Sequence, residues 1–215
     1  METIADIADY VGVIPIAIIF FKGFNLDKKI HIYIYIYICS LVFKNLLTLF
    51  MSYKGIYNIY VYNWYSIIGF VIIALLYRVE LKNKYVRIAI LISIGVGVGL
   101  LYIDKDSFFD TQVIYFSLYS HNITAALAIV IILIYFYHLI QDLPTADLAQ
   151  YPLFWFSTGT LLYYSGTFFS NLFINSTLNY SALNRNLYWT LEVGLTFILV
   201  TCLSLMVWYM KPAKV

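Results

Sequence analysis

A chain of 215 residues that is 63% hydrophobic, 11% charged and of formal net charge +2 carries more apolar surface than one soluble core of that length can hide. The near-neutral balance gives no basic face for nucleic acid, and no gap between apolar runs is long enough for a second domain. The charges fall in short gaps between runs of about 20 apolar residues, the length a helix needs to cross a hydrocarbon layer of about 30 Å.

Seven runs are predicted as transmembrane helices of one all-α integral membrane bundle covering residues 1–215: 4–21, 30–51, 57–77, 85–103, 112–138, 152–174 and 187–209. The first has Asp6 and Asp9 near its start and Pro15 midway, and is the weakest by hydropathy. It is expected to be retained rather than cleaved as a signal peptide, because Met1 to Asp9 holds no basic residue and the run enters Lys22 with no small-residue cleavage pattern.

The second run opens Ile30-His-Ile-Tyr-Ile-Tyr-Ile-Tyr-Ile38, alternating with period 2 and rich in strand formers. A membrane barrel would need such alternation in many segments of about 10 residues. Runs such as Ala125 to Tyr137 lack it, so helix is predicted throughout. In the fourth run Gly95, Gly97 and Gly99 lack the strand-to-helix setting of a nucleotide loop, and the G-x-x-x-G spacing is read as close helix packing.

In the sixth run Ser157, Thr160, Tyr164, Thr167 and Asn171 recur at helical spacing, with Gly159, Tyr163, Gly166 and Ser170 as an adjoining stripe. Half of that helix is unsuited to lipid, either as packing glue or as the wall of a site. Cys39 and Cys202 both fall within runs, form no C-x-x-C, and are read as free buried thiols.

Orientation follows from the basic residues. With the N-terminus outside, nine lie inside (Lys22, Lys28, Lys29, Arg78, Lys82, Lys84, Arg87, Lys211, Lys214) and three outside (Lys54, Lys105, Arg185), with Lys44 in the membrane. The positive-inside rule then predicts an outer N-terminus and a cytoplasmic C-terminus.

A charged side chain within such a run costs about 2.5–3.5 kcal/mol on the insertion scale, so the intruders are the functional question. Given the predicted orientation, Lys44, Tyr62, Asn63, Ser66, His121, Asn122, Tyr164, Thr167, Asn171 and Glu192 all fall in outer halves of their helices. They are the predicted ligand-binding set, a polar cavity opening outward. A structural Lys44–Glu192 pair is the competing reading. No catalytic constellation and no metal-ligand spacing is found, no cofactor is predicted, and Lys44 sits in the wrong helix for the Schiff base of a retinal pigment.

Three stretches carry a family resemblance: Asn58-Ile-Tyr-Val-Tyr-Asn-Trp-Tyr65, the run from Tyr151 to Phe169 with Pro152, Phe154, Trp155, Gly159, Tyr163, Ser165 and Gly166, and the seventh run ending in Trp208. Together they resemble an uncharacterised seven-helix membrane module of Bacteroidetes-type bacteria, which occurs alone or ahead of sensor histidine kinase domains. The resemblance implies a Glu where this chain has Gly69, so the intramembrane acid has moved to Glu192. The sequence ends at Val215 with no kinase, cyclase or DNA-binding domain, so signalling is expected to pass through a separate cytoplasmic protein. The expected function is a receptor-like sensory module of the bacterial inner membrane that binds a small molecule among lipids. A small-solute transporter is the alternative, and an integral-membrane enzyme a more distant one; the first three and last three helices show no convincing repeat of the kind a transporter would best display.

Overall fold

The computed structural model describes residues 10–23, 29–110, 116–142, 147–180 and 182–210, with side chains outside 173–186. Eight α-helices are described: α1 (Ile14–Lys22), α2 (Lys29–Tyr53), α3 (Ile59–Glu80), α4 (Lys84–Ile103), a short α5 (Lys105–Phe109), α6 (Leu118–Asp142), α7 (Pro152–Tyr180) and α8 (Ala182–Tyr209), with a 3₁₀ turn at Leu148–Gln150. There are no strands among the described residues. Five helices are long and apolar enough to cross a membrane: α2, α3, α4, α6 and the Leu187–Tyr209 part of α8. Their outward faces carry Phe43, Phe50, Ile92, Val96, Leu133, Ile140 and Ile198, all exposed. A face of that kind suits a lipid solvent, and the chain is a helical, multi-pass membrane protein.

Backbone chemistry sets the helix ends. Pro15 opens α1, where a missing N–H costs nothing, and Gly23 (φ 80°) ends it. The end of α2 is a Schellman turn: Gly55 at φ 66° lets its own N–H reach the Ser52 carbonyl at 3.0 Å while Ile56 N–H reaches Met51 at 2.9 Å. At α4 the Asn83 side chain accepts from Tyr85 N–H at 2.9 Å.

The alternating stretch of α2 is helical, and its burial follows the helical period. Ile30, Ile34, Tyr37, Ile38 and Leu41 are buried while Ile32 and Ile36 are exposed. Alternation in sequence therefore leaves the even-numbered isoleucines on both the inner and the outward face. The centre of the bundle is α3, packed against α2, α4, α5 and α6, with α7 bridging α6 to α8 and α1 lying along α8. Phe70, Ile73, Ala74, Leu76 and Tyr77 of α3 are fully enclosed.

The two stripes of α7 do different work. Ser157, Thr160, Tyr164, Thr167 and Asn171 are all buried, and the adjoining glycines receive α8. A Cβ on Gly159 would stand 2.5 Å from Cys202 Cβ, and one on Gly166 2.3 Å from Leu195 Cδ2. The expected close packing through Gly95 and Gly99 is corrected: a Cβ at either meets nothing within 4 Å, and it is Gly97 that lies against Phe70, at 2.9 Å. Only Ile90, Gly97 and Leu100 of α4 are buried, because this helix sits at the rim of the bundle. Cys202 is buried as expected, whereas Cys39 is exposed on the outer face of α2.

The expected boundaries shift at both kinds of end. The third, fifth and sixth runs extend to Glu80, Asp142 and Tyr180, the fourth ends at Ile103 as expected, and Phe116 and Ser117 precede α6 as irregular chain. The start of the first run, with Asp6 and Asp9, and the start of the fifth, residues 112–115, lie outside the described residues, as do positions 24–28, 111 and 143–146.

Candidate functional site

The N-terminal end of α3 is where polar groups gather. Asn63 is fully buried and uses both ends of its amide. Its Nδ2 donates to the Ser107 carbonyl of α5 at 2.8 Å, and its Oδ1 accepts from Ser117 N–H at 3.2 Å and stands 3.1 Å from His121 Nε2. A carbonyl oxygen only accepts, so Nε2 carries the proton in this bond and the tautomer of His121 is set by Asn63. Trp64 Nε1 donates to the Phe108 carbonyl at 2.9 Å, which fixes α5 across this end of the bundle. Asp104, between α4 and α5, accepts from the Ser117 hydroxyl, and from Ser120 Oγ at 3.2 Å, tying that end to the first turn of α6.

Beneath this brace lies a cavity of about 120 Å³. Its wall takes Lys44 from α2; Tyr62, Tyr65 and Ser66 from α3; His121 and Thr124 from α6; Tyr163, Tyr164, Thr167 and Asn171 from α7; and Tyr188, Trp189, Glu192 and Thr196 from α8. Phe116, from the chain before α6, closes it with an aromatic cluster: its ring lies 5.5 Å from His121, 6.0 Å from Tyr62, 6.2 Å from Tyr188 and 6.5 Å from Trp189.

The two charges of the cavity are each lodged in a specific setting. The Lys44 ammonium lies over the Tyr62 ring at 4.7 Å and the Tyr65 ring at 5.4 Å, so the negative faces of two phenols receive it. Glu192 accepts from Ser170 Oγ at 3.2 Å. Tyr188 donates to Asn171 Oδ1 at 3.2 Å. Tyr65 is 8% exposed, lines the cavity, and its Oη has no hydrogen-bond partner among the described residues.

Of the ten expected site residues, eight meet in this wall: Lys44, Tyr62, Ser66, His121, Tyr164, Thr167, Asn171 and Glu192. Asn63 stands behind it, holding His121. Asn122 does not line it; half-buried one residue on, it is turned about 100° around the α6 axis from its neighbour, with Oδ1 buried and unpartnered among the described residues. Tyr163 is expected only as part of the adjoining stripe, and Tyr65, Thr124, Tyr188, Trp189, Thr196 and Phe116 are not among the expected site residues. Gly69, where the resemblance implies a Glu, lies against this wall: a Cβ there would stand 3.1 Å from Tyr164 Oη and 3.5 Å from the Tyr65 ring. Phenols fill the space that a longer side chain would take.

Among the described residues no group of three or more His, Cys, Asp or Glu side chains is placed to hold a metal ion. No known family, curated protein or solved structure matches the chain. The chemistry of the wall is therefore what speaks to function: one cation, one carboxylate, an imidazole held in one tautomer, and several hydroxyls inside an aromatic frame.

Proposed function

We propose that the chain is a receptor-like module of the bacterial inner membrane, with seven spans, an outer N-terminus and a cytoplasmic C-terminus. It binds a small polar molecule in the cavity at the α3 N-terminal end and passes a helix shift to a separate cytoplasmic protein. The observation that carries the reading is that five helices, α2, α3, α6, α7 and α8, each put polar side chains into one small cavity. A ligand touching all five makes different contacts for each relative placement of the helices, and that difference in affinity is what a ligand-driven shift requires.

The cavity volume of about 120 Å³ is a little under the roughly 150 Å³ that holds a benzene molecule, so the ligand has about six heavy atoms or the wall yields to admit more. Lys44 and Glu192 bring opposite charges, so a dipolar or zwitterionic molecule balances the site better than a simple anion or cation. Seven spans are supported by the far end of the bundle. Lys22, at the C-terminal end of α1, donates to backbone carbonyls at the C-terminal end of α8, including Met210 at 2.8 Å. The first and last helices thus run parallel, as an odd number of crossings demands. At 29 residues α7 spans about 44 Å, long enough to cross with its polar stripe turned inward.

A transporter remains the second reading, favoured by a further cavity at the opposite end of α3 and α6. Between the two, Phe156 is enclosed with Tyr37 at 5.3 Å and Tyr77 at 6.4 Å, a closed middle of the kind alternating access needs. Thermal-shift screening of small zwitterions in nanodiscs, followed by uptake of each hit into proteoliposomes, separates the readings. Binding without uptake is expected; uptake makes the protein a transporter, and the absence of any hit removes the receptor reading.

A further inference from the structure

The second cavity, about 680 Å³, is lined by Glu80, Leu81, Lys82 and Asn83 after α3, by Tyr135, His138, Leu139 and Asp142 of α6, and by Tyr151 ahead of α7. It shares no residue with the first and lies about 25 Å along α3 from Asn63. We propose that this cavity binds an organic cation, a guanidinium or alkylammonium group on a short apolar stem. The group belongs either to a free polyamine-like molecule or to a basic side chain of a protein.

Two helix C-termini meet at this cavity. Glu80 is the last residue of α3 and Asp142 the last of α6. Carbonyl groups at a helix C-terminus already gather partial negative charge, so a carboxylate there works against the helix and a cation favours it. Two such ends meet at one cavity, each with an acid where a base would serve the helix. Lys82 is the cation of the lining and is exposed to solvent; Arg78, on the last turn of α3, does not line the cavity. His138 is half-buried beside them.

A second observation points inward from the floor. Tyr135 is 3% exposed and lines the cavity beside Tyr151; the Tyr151 hydroxyl gives its proton to Glu80, so the Tyr135 oxygen receives no hydrogen bond among the described residues. Its ring lies tilted against that of Tyr77 at 5.0 Å, so the phenol is held rather than free to swing out. A buried phenol without a partner is costly to leave so, and its oxygen accepts from an N–H. Tyr151 donates to Glu80 Oε1 at 3.1 Å, which fixes that carboxylate at the rim. A guanidinium carries several N–H donors and no acceptor: it can pair with Glu80 or Asp142 at the rim and with Tyr135 on the floor, its stem lying along Leu81 and Leu139.

The test uses the full chain in nanodiscs and calorimetric titration with agmatine, spermidine and acetyl-Gly-Arg-Gly-amide, with butylurea as the neutral control. Saturable binding of a cation but not of butylurea is expected, weakened about tenfold in Glu80→Gln or Asp142→Asn, as for loss of a charge-assisted hydrogen bond. Tyr135→Phe should weaken it about threefold or more while keeping the ring packing. Gly95→Ala, at a position that lines neither cavity and has room for the added methyl, should leave it unchanged. Tighter binding of agmatine or spermidine identifies a free ligand, and tighter binding of the peptide a protein side chain; either supports the site. Should Glu80→Gln fold poorly, Asp142→Asn, at an exposed helix end, carries the test. No saturable binding of any probe up to about 10 mM, equal binding of butylurea, or affinity untouched by both acidic substitutions overturns the proposal.

Discussion

Gly159→Ala is the sharpest test of how α7 and α8 are held together. The added Cβ would stand 2.5 Å from Cys202 Cβ and 3.5 Å from the Leu199 carbonyl oxygen. Carbon atoms rest about 3.5–4.0 Å apart, so roughly 1 Å or more must open. Cys202 Cβ is bonded to its own backbone and cannot rotate away, so the helices themselves must part. Overpacking of that kind costs about 1–3 kcal/mol, offset by up to about 1 kcal/mol from the better helix propensity of alanine. Two companion substitutions give the scale. Gly166→Ala meets Leu195 Cδ2 at 2.3 Å, but that is the tip of a half-buried, flexible side chain that can move, and little change is expected. Gly95→Ala meets nothing within 4 Å and should stabilise by up to about 1 kcal/mol through propensity. The assay is the temperature at which the monodisperse size-exclusion peak falls by half after heating in detergent. The expected order is Gly95→Ala highest, wild type and Gly166→Ala together, Gly159→Ala lowest, with Cys202→Gly restoring part of the last. A Gly159→Ala protein as stable as wild type, or a loss at Gly95→Ala, would show that α4 and not α7 makes the close approach.

Lys44→Met and Glu192→Gln should each lower stability or abolish ligand response, and the double change should recover stability without response; strict additivity in the double-mutant cycle refutes their coupling. Asn63→Ala removes three hydrogen bonds from buried groups and should cost about 1–3 kcal/mol, read by the same heating assay; a neutral effect means the brace over the cavity is not formed. Burial, with the Glu80 charge next, pushes the Tyr151 phenol up to about 12. Its folded value lies above its unfolded value of about 10, so this stabilisation is complete below pH about 10 and is lost as pH rises toward 12. Tyr151→Phe should therefore flatten the fall in stability over that window, and an unchanged slope would show that the phenol is not held neutral by the fold. A reporter fused after Val215 should be active in the cytoplasm; periplasmic activity reverses the orientation.

What could be read from the sequence was what stood out against its surroundings. Lys44 and Glu192 are charges inside apolar runs, and the α7 stripe repeats at the helical period, so both carried contrast. Tyr65 and Tyr188 did not, because with 22 tyrosines in the chain one more in an apolar run is no signal. Phe116 reaches the cavity from irregular chain, where no period applies. His121 and Asn122 are adjacent and equally polar in sequence, yet only the rotation of α6 decides which one faces inward. Gly95 and Gly99 fit a packing motif by spacing, but packing needs a partner on that face, and the rim position of α4 supplies none. The brace over the cavity was illegible for a related reason: α5 is held by Asn63 and Trp64, which contact it from about 44 residues away.

The clasp between Lys22 and the end of α8 also constrains how the protein is made. Lys22 and Val207 are 185 residues apart, and at roughly 5–20 residues per second the ribosome needs about 10–40 s to supply the second after the first. For that interval α1, nine residues long as described, has been synthesised without the helix it lies along. It must be kept at the membrane by the translocation machinery or by the early helices alone. Truncation or stalling before α8 should therefore leave α1 more accessible to proteases than it is once α8 is in place.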